Sequence, residues 1–418
     1  MIFLHWRAPT IYWLWLITSW SGKRVNLVFK LKQEVPNVFA SNSTLSNAMN
    51  KLLTDQQLIE RTLEHIDNKT TDMGTDVWRE PMASYLDQDR FDAEIALIRR
   101  SPVPFCPTAM LVEKGSYVAR KAAGTPILVV RGMDGEIRAF LNGCRHRGMP
   151  VASGAGCARA FVCPYHSWSY SLDGSLKNIA GSHGFPGVDV SEHGLVQISA
   201  REKGGVVYVN QEAEIAESDL SGMPDFFTHD QEYFEQDSVV DATNWKLIAE
   251  TTMEGYHIKG LHKKSFYPYG LDNTNVVETF GPNSRVVFPF RRINELRDIE
   301  PSKRNSDGVF TTVYNLFPNT VVSILSKHST LTIFEPIAPG RTEILIYRVT
   351  NRLQDGSTAS VEDAKRDADF VKGAGLDEDR EAAVKIQETI NSGKDLYLTF
   401  GLFEKAIVHF HQNLEKRL

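Results

Sequence analysis

The stretch CPYHSWSY, residues 163–170, sets a thiol and an imidazole three positions apart in an aromatic run. A second stretch, CRHRG at 144–148, sets another thiol and imidazole two positions apart. Together they read C-x-H, sixteen intervening residues, then C-x-x-H, that is Cys144, His146, Cys163 and His166. Each half follows a segment that reads as a strand, so both lie on loops at strand ends. Two such loops meeting tip to tip present four metal-binding side chains to one small inorganic centre.

Two centres suit that donor set. Zinc accepts two Cys and two His in a tetrahedron, although its common spacing groups Cys with Cys and His with His. The mixed order suits a [2Fe–2S] cluster in which two His replace two Cys on one iron. In that case Cys144 and Cys163 hold one iron, and His146 and His166 hold the other. Cys106 and Cys157 read as small buried apolar residues. Trp168 is placed to cover the centre, and Arg145 and Arg147 to offset its negative charge.

Outward from these loops, TPILVVRG and IRAFLNG flank Asp134 and Gly135, a strong hairpin signal. Asp173-Gly174 marks another turn, and GLVQISA and GVVYVN flank Lys203-Gly204-Gly205. Residues 107–212 therefore read as an antiparallel all-β domain. Residues 46–106 read as packing helices, with NAMNKLLTDQQLIERTLEHIDN (47–68) and DRFDAEIALIRR (89–100) carrying apolar residues at helical spacing. The acidic run 212–241 reads as a connecting loop. Residues 213–418 read as a second domain, with a helix from about Asn244 and helices at about 361–393 and 402–417. Between these, VVFPFRR, FTTVYNLF, NTVVSILS, STLTIFEPI and TEILIYRVTN read as five strands of a larger antiparallel sheet. The fold class is α+β.

The second informative stretch is NWKLIAETTMEGYHIKGLH, residues 244–262. It places Glu254 and His257 at i,i+3, on one face of a helix. His257 and His262 are i,i+5 and would point about 140° apart on an ideal helix. They share a metal only if the helix bends or ends between them, and Gly260 makes that inexpensive. Two His and a carboxylate with open positions form the facial set for non-haem Fe(II). The carboxylate is sought on an otherwise apolar helix face. In LDEDREAAVKIQETI, Asp379 shares its face with Ala383, Ile386 and Ile390, whereas Glu378 and Asp377 fall on more polar faces. Asp379 is the expected third ligand.

Composition is consistent with this picture. The chain has 418 residues, 42% hydrophobic and 23% charged, as in a soluble protein of two or three domains. A net charge of −6, without a basic stripe, gives no electrostatic footprint for nucleic acid. Four cysteines are too few for a disulfide framework in a chain this long, which fits the cytoplasm. Residues 1–45 begin with a strongly apolar run, broken by His5 and Arg7, whose clean part is shorter than the roughly 20 residues of a spanning helix. They are expected to be an extension outside the fold, with a membrane-touching or partner-binding segment and an export signal as the other readings.

Together CRHRG, CPYHSW, NWK at 244–246, EGYH-x4-H at 254–262 and the closing FGLFEKAIVHFHQNL resemble the catalytic α subunit of Rieske non-haem iron oxygenases, the aromatic ring-hydroxylating family. The resemblance covers the chain from about residue 78. It implies a Rieske [2Fe–2S] domain inserted into a helix-grip catalytic domain, with Cys144, His146, Cys163 and His166 on the cluster. It implies His257, His262 and a later acid, here Asp379, on a mononuclear Fe(II), and a head-to-tail homotrimer with or without a β subunit. In the family an acid at the place of Glu254 bridges the cluster of one subunit to the iron of the next. Most members carry Asp there; those acting on quaternary ammonium substrates such as carnitine carry Glu. Ser167 also departs from the family, where Gly is usual. The implied reaction uses O2 and electrons from NAD(P)H, through a separate ferredoxin or flavin reductase, to hydroxylate or oxidatively demethylate an aromatic or other small organic substrate. A quaternary-ammonium monooxygenase is the alternative within the family. An electron-transfer-only Rieske protein and a zinc-binding structural protein are the alternatives outside it. The substrate pocket is expected inside the larger sheet, lined by residues from about 250 to 345.

Overall fold

A computed structural model describes residues 52–373 and 377–418. The apolar segment 1–45 lies outside the described residues. None of the described helices is long and apolar enough to cross a membrane.

The Asp134-Gly135 turn closes as its residues dictate. Gly135 takes φ +94°, and the strands Thr125–Arg131 and Ile137–Leu141 pair antiparallel across it. They belong to a seven-stranded sheet whose outer strands are Val103–Pro107 and Gly154–Cys157. In Thr125–Arg131 four successive residues, 127–130, are buried. Such a run marks a strand covered on both faces. Ile127 and Val129 face one apolar cluster, and Leu128 and Val130 face a second that contains Cys144, Cys163 and Trp168. The Cys/His loops rise from this second side, on a small sheet of Phe161–Val162, Ser169–Tyr170 and Leu176–Asn178.

The larger sheet also has seven strands. In spatial order they are Tyr233–Asp241, Arg341–Thr350, His328–Ala338, Thr320–Ile324, Phe310–Leu316, Asn283–Pro289 and Val276–Phe280. Five match the sequence expectation. The sixth, Val276–Phe280, was not foreseen. The seventh corrects it: the end of the acidic run 212–241 is not a loop but the edge strand Tyr233–Asp241. None of its residues is buried, and its charges are those with which natural sheets blunt an open edge. Acidity hid the strand.

Seven α-helices are described: α1 (Asp55–Asn68), α2 (Gln88–Arg100), α3 (Trp245–Glu250), α4 (Ile258–Leu261), α5 (Val361–Val371), α6 (Asp377–Ile390) and α7 (Lys405–Arg417). α1 starts where Thr54 and Gln57 form a capping box, and it lays Leu58, Ile59 and Leu63 against Val276 and Val287. α6 and α7 pack against the larger sheet with α3.

The two sheets share a core. Phe105, Val118 and Val207 from the first join Leu331, Tyr347 and Val349 from the second. One buried ion pair crosses the joint: Arg120 Nη1 stands 3.7 Å from Glu335 Oε2, and Gly124 N–H donates to Glu335 Oε1 at 3.2 Å. Burial pushes the Glu335 carboxyl up to about 7, against the pull of Arg120. A carboxyl with a raised folded pKa stabilises the fold fully only below its unfolded pKa, and that contribution is lost as pH rises to the folded value. At about 1.4 kcal/mol per pKa unit, the loss is roughly 3 kcal/mol. Stability should therefore fall between about pH 4.5 and pH 7 through this residue, and Glu335→Gln should flatten that part of a chemical-denaturation pH profile.

A second expectation concerns Ser167, which holds φ +58° between His166 and Trp168. A side chain in that left-handed region costs roughly 1–2 kcal/mol. A glycine there would relieve the strain but return about 0.4–1 kcal/mol through a looser unfolded chain. Ser167→Gly should raise stability by a net of up to about 1 kcal/mol, seen as a higher Tm.

Candidate active site and metal centres

Residues 244–262 are not one helix. Asn244 caps α3, its side chain accepting from Lys246 N–H at 3.0 Å and donating to Tyr85 O and Pro339 O. The hydroxyls of Thr251 and Thr252 turn back onto the carbonyls of Ile248 and Ala249, and α3 ends. Glu254 therefore lies outside any helix, which corrects the expected i,i+3 helical pair with His257. Its carboxylate instead accepts the backbone N–H groups of Tyr256 and His257, and this ties the loop before α4. Gly255 is required here: a Cβ would lie 2.2 Å from Asn275 Oδ1, and Asn275 is itself held to Val287 O at 2.9 Å. α4 is a single turn between the two histidines, and it stops before His262. The break demanded by the i,i+5 spacing is present, with Gly260 inside the turn rather than at the break.

This path brings His257 and His262 together with Asp379 from the first turn of α6. One donor atom from each lies within 4.8 Å of the others. Asp379 Oδ1 stands 3.0 Å from His262 Nε2 and 3.5 Å from His257 Nε2. That oxygen is buried and has no hydrogen-bond partner. The opposite nitrogens are occupied: His257 Nδ1 bonds Glu254 Oε1, and His262 Nδ1 bonds Glu378 Oε2 at 2.8 Å. Carboxylates on Nδ1 fix the tautomer and leave Nε2 as a lone-pair donor. Burial disfavours a charge on either ring. For His257 the Glu254 hydrogen bond outweighs it, and for His262 the adjacent Asp379 carboxylate and the Glu378 hydrogen bond do, so both pKa values are raised. Two lone-pair nitrogens and an orphaned buried carboxylate oxygen facing one point fit a divalent metal ion.

Sequence reasoning placed Asp379 correctly on the inward face but missed Glu378. The buried stripe of α6 runs through Ala383, Gln387 and Ile390, while Ile386 is exposed. Gln387 replaces it because its side chain accepts the Asn244 N–H at 2.8 Å. Glu378 reaches His262 together with Ser265, whose hydroxyl donates to the same oxygen at 2.5 Å.

At the other site Cys144 and Cys163 are buried, and His146 Nδ1 faces His166 Nδ1 at 3.0 Å. Burial, then His146 and Arg147, lower the His166 pKa, so the neutral, metal-binding form is favoured. The Tyr170 hydroxyl accepts Arg145 N–H at 2.9 Å and shares a hydrogen bond with Cys144 Sγ at 3.2 Å. Trp168 stacks on the His146 ring, centroids 5.2 Å apart and 12° from parallel. Two buried thiols and two facing imidazoles with no carboxylate between them fit a cluster held by mixed ligands. Cys157, in contrast, is exposed on an outer strand, which overturns its reading as a buried residue; Cys106 is buried. Arg147 lies over the Tyr165 ring. Among the described residues no hydrogen bond or ion pair joins His146 or His166 to Glu254. Tyr256 is 60% exposed, its ring 5.4 Å from that of Phe403.

Two contiguous cavities of about 130 and 170 Å³ lie under the larger sheet. They share Thr251, Thr252, Thr311, Ser323, Leu325 and Asp379. His257 and His262 line the second with Phe266, Phe288 and Phe290. A polar row crosses the floor of the first, where Ser323 pairs with Thr330 and Thr330 with Arg348 on adjacent strands.

Residues 101–190 match the Rieske [2Fe-2S] domain, and residues 228–418 match the ring hydroxylating alpha subunit catalytic domain. The chain is 32% identical over 195 residues to the glycine betaine monooxygenase oxygenase subunit of Pseudomonas aeruginosa, 44% of each chain. It is 31% identical over 195 residues to the chlorobenzene dioxygenase subunit alpha of a Cupriavidus species, 41% of this chain and 42% of that one. These matches span less than half the length of either relative. The fold is similar to that of the quaternary ammonium Rieske monooxygenase CntA in complex with L-carnitine, with a TM-score of 0.69 at 21% identity over 88% of this chain and all of that one. With both domains matched in this order and the site geometry above, the chain belongs to the family of Rieske oxygenase α subunits.

Proposed function

We propose that the chain is the catalytic subunit of an oxygenase that hydroxylates or oxidatively demethylates a small organic substrate. It uses O2 and electrons from NAD(P)H, passed through a separate ferredoxin or flavin reductase. The observation that carries this reading is the convergence of His257, His262 and Asp379 at the wall of an apolar cavity, in a chain that also holds a Rieske domain.

When bound, the mononuclear iron supplies open positions for dioxygen and the [2Fe–2S] cluster supplies single electrons. His257 and His262 present Nε2, and Asp379 presents Oδ1. Glu254 and Glu378 keep the Nδ1 protons in place. Phe266, edge-on to the His262 ring at 5.2 Å, and Phe288 exclude water from the reacting side. Cys144 and Cys163 would hold one iron of the cluster, and His146 and His166 the other. Tyr170 donates toward the Cys144 sulfur, which favours the reduced cluster by easing its added negative charge. Among the described residues no hydrogen bond joins the two sites. This supports a head-to-tail trimer in which Glu254, beside exposed Tyr256, carries electrons between subunits.

Glu254 favours a second reading, oxidation of a quaternary ammonium compound. Phe266, Phe288 and Phe290 offer aromatic faces to such a cation. Oxygen uptake with a surrogate reductase, against aromatic acids, polycyclic arenes and trimethylammonium compounds, separates the two.

Three outcomes test the assignments. Purified protein should be red-brown and hold about three irons per chain, against two for an electron carrier alone. His262→Ala should abolish turnover and keep the colour, while Cys163→Ser should bleach it; full activity in His262→Ala would sink the iron assignment. Glu378→Ala should weaken mononuclear iron binding by roughly 10–100-fold in a chelator competition, with the Rieske EPR signal unchanged.

A further inference from the structure

A third cavity, a groove of about 560 Å³, opens outside the catalytic pair and is lined by Tyr269, Phe290, Arg291, Arg292, Lys327 and Phe370, among others. Phe290 lines both this groove and the cavity that holds His257 and His262. The turn between the strands Thr320–Ile324 and His328–Ala338 divides its residues across the boundary. Leu325 and His328 face the catalytic cavities, while Ser326 and Lys327 face the groove. α5 does the same, with Phe370 outside and Ala368 and Val371 inside. A single wall therefore separates groove from cavity, and its two lips are this turn and α5. The hydrogen bond between His328 Nδ1 and Asp367 Oδ2, at 2.8 Å, ties the lips together.

The groove is basic in a chain of net charge −6. Arg291 spends one hydrogen bond on Tyr267 O at 3.1 Å and lies over the Tyr267 ring. Arg292 reaches Ser326 Oγ at 3.5 Å and lies over the Phe290 ring. Arg291, Arg292 and Lys327 form no ion pair among the described residues. The one acid on the groove, Asp367, is already held by His328 Nδ1 and by Lys327 N–H, each at 2.8 Å. Three cations beside exposed aromatic rings attract an anion and accept an apolar body next to it.

We propose that this groove is the entrance to the catalytic cavity and selects an organic carboxylate, whose anionic end is held by Arg291, Arg292 and Lys327 while its apolar or ammonium-bearing end passes Phe290 toward His257, His262 and Asp379. This rests on the oxygenase reading for the chemistry at the far end. The carboxylate is what an aromatic acid and a trimethylammonium carboxylate have in common, so it accommodates both substrate readings.

The test is calorimetric titration of the full-length protein with matched pairs: phenylacetate against 2-phenylethanol, and glycine betaine against choline. At low salt the carboxylate member of at least one pair should bind about tenfold or more tightly than its uncharged or cationic counterpart. The pair that shows the preference identifies the body. Arg291→Gln/Arg292→Gln, and separately Lys327→Gln, should reduce the preference, as should high salt, whereas Arg292→Lys should retain it. Equal binding within both pairs, no binding of either carboxylate, or a preference unchanged in both charge-removing variants overturns the proposal. Binding is read without turnover. A protein that shows the preference but no oxygen uptake on the panel would contradict the oxygenase reading and leave the entrance standing.

Discussion

An imidazole can serve a metal through one nitrogen only if something fixes the other, and the catalytic half of this chain is arranged around that requirement. Glu254 fixes His257 and Glu378 fixes His262, both at Nδ1. The two carboxylates come from opposite ends of the domain's sequence, so the aim of the rings depends on α6 lying against α3. Asn244 secures that contact from one side through Gln387, and Thr243 from the other through a 3.2 Å bond to Ala383 O. Loss of the α3–α6 packing would misdirect the His262 ring, through Glu378, without touching it.

The Rieske half meets a different constraint, because its loops must be rigid yet carry almost no regular structure. The strand Thr125–Arg131 answers it by burying side chains on both faces. One face supports the Cys/His loops and the other seals the joint to the catalytic sheet. Burial of each such side chain is worth roughly 1.5–3 kcal/mol, so this one strand couples the placement of the loops to the integrity of the joint. Trp168 over His146 and Tyr170 under Cys144 complete the packing from above.

The parts legible in the sequence were those whose signal is local. The Cys/His pairs declare themselves by spacing, and hairpins by Asp-Gly. Asp379 was found because a lone acid on an apolar helical stripe breaks a 3.6-residue pattern. Glu378 could not be found that way. Its partner, His262, is 116 positions distant, and a contact of that range leaves no periodic trace. The edge strand Tyr233–Asp241 was hidden because an open edge selects charges, which also mark loops. Val103–Pro107 is wholly buried, yet Pro104 and Pro107 read as breakers. The pairing of Glu254 with two backbone amides is a loop device that a helical reading of 244–262 hides.

The turn at 325–328 sends its end residues, Leu325 and His328, to one side of a wall and its central pair, Ser326 and Lys327, to the other. Because only the central pair faces outward, deleting or inserting a single residue there would change which side chains line the groove. The chemical character of the passage would then change in one genetic step. A descendant of this protein could thus acquire a new diet by altering loop length alone, with His257, His262 and Asp379 untouched.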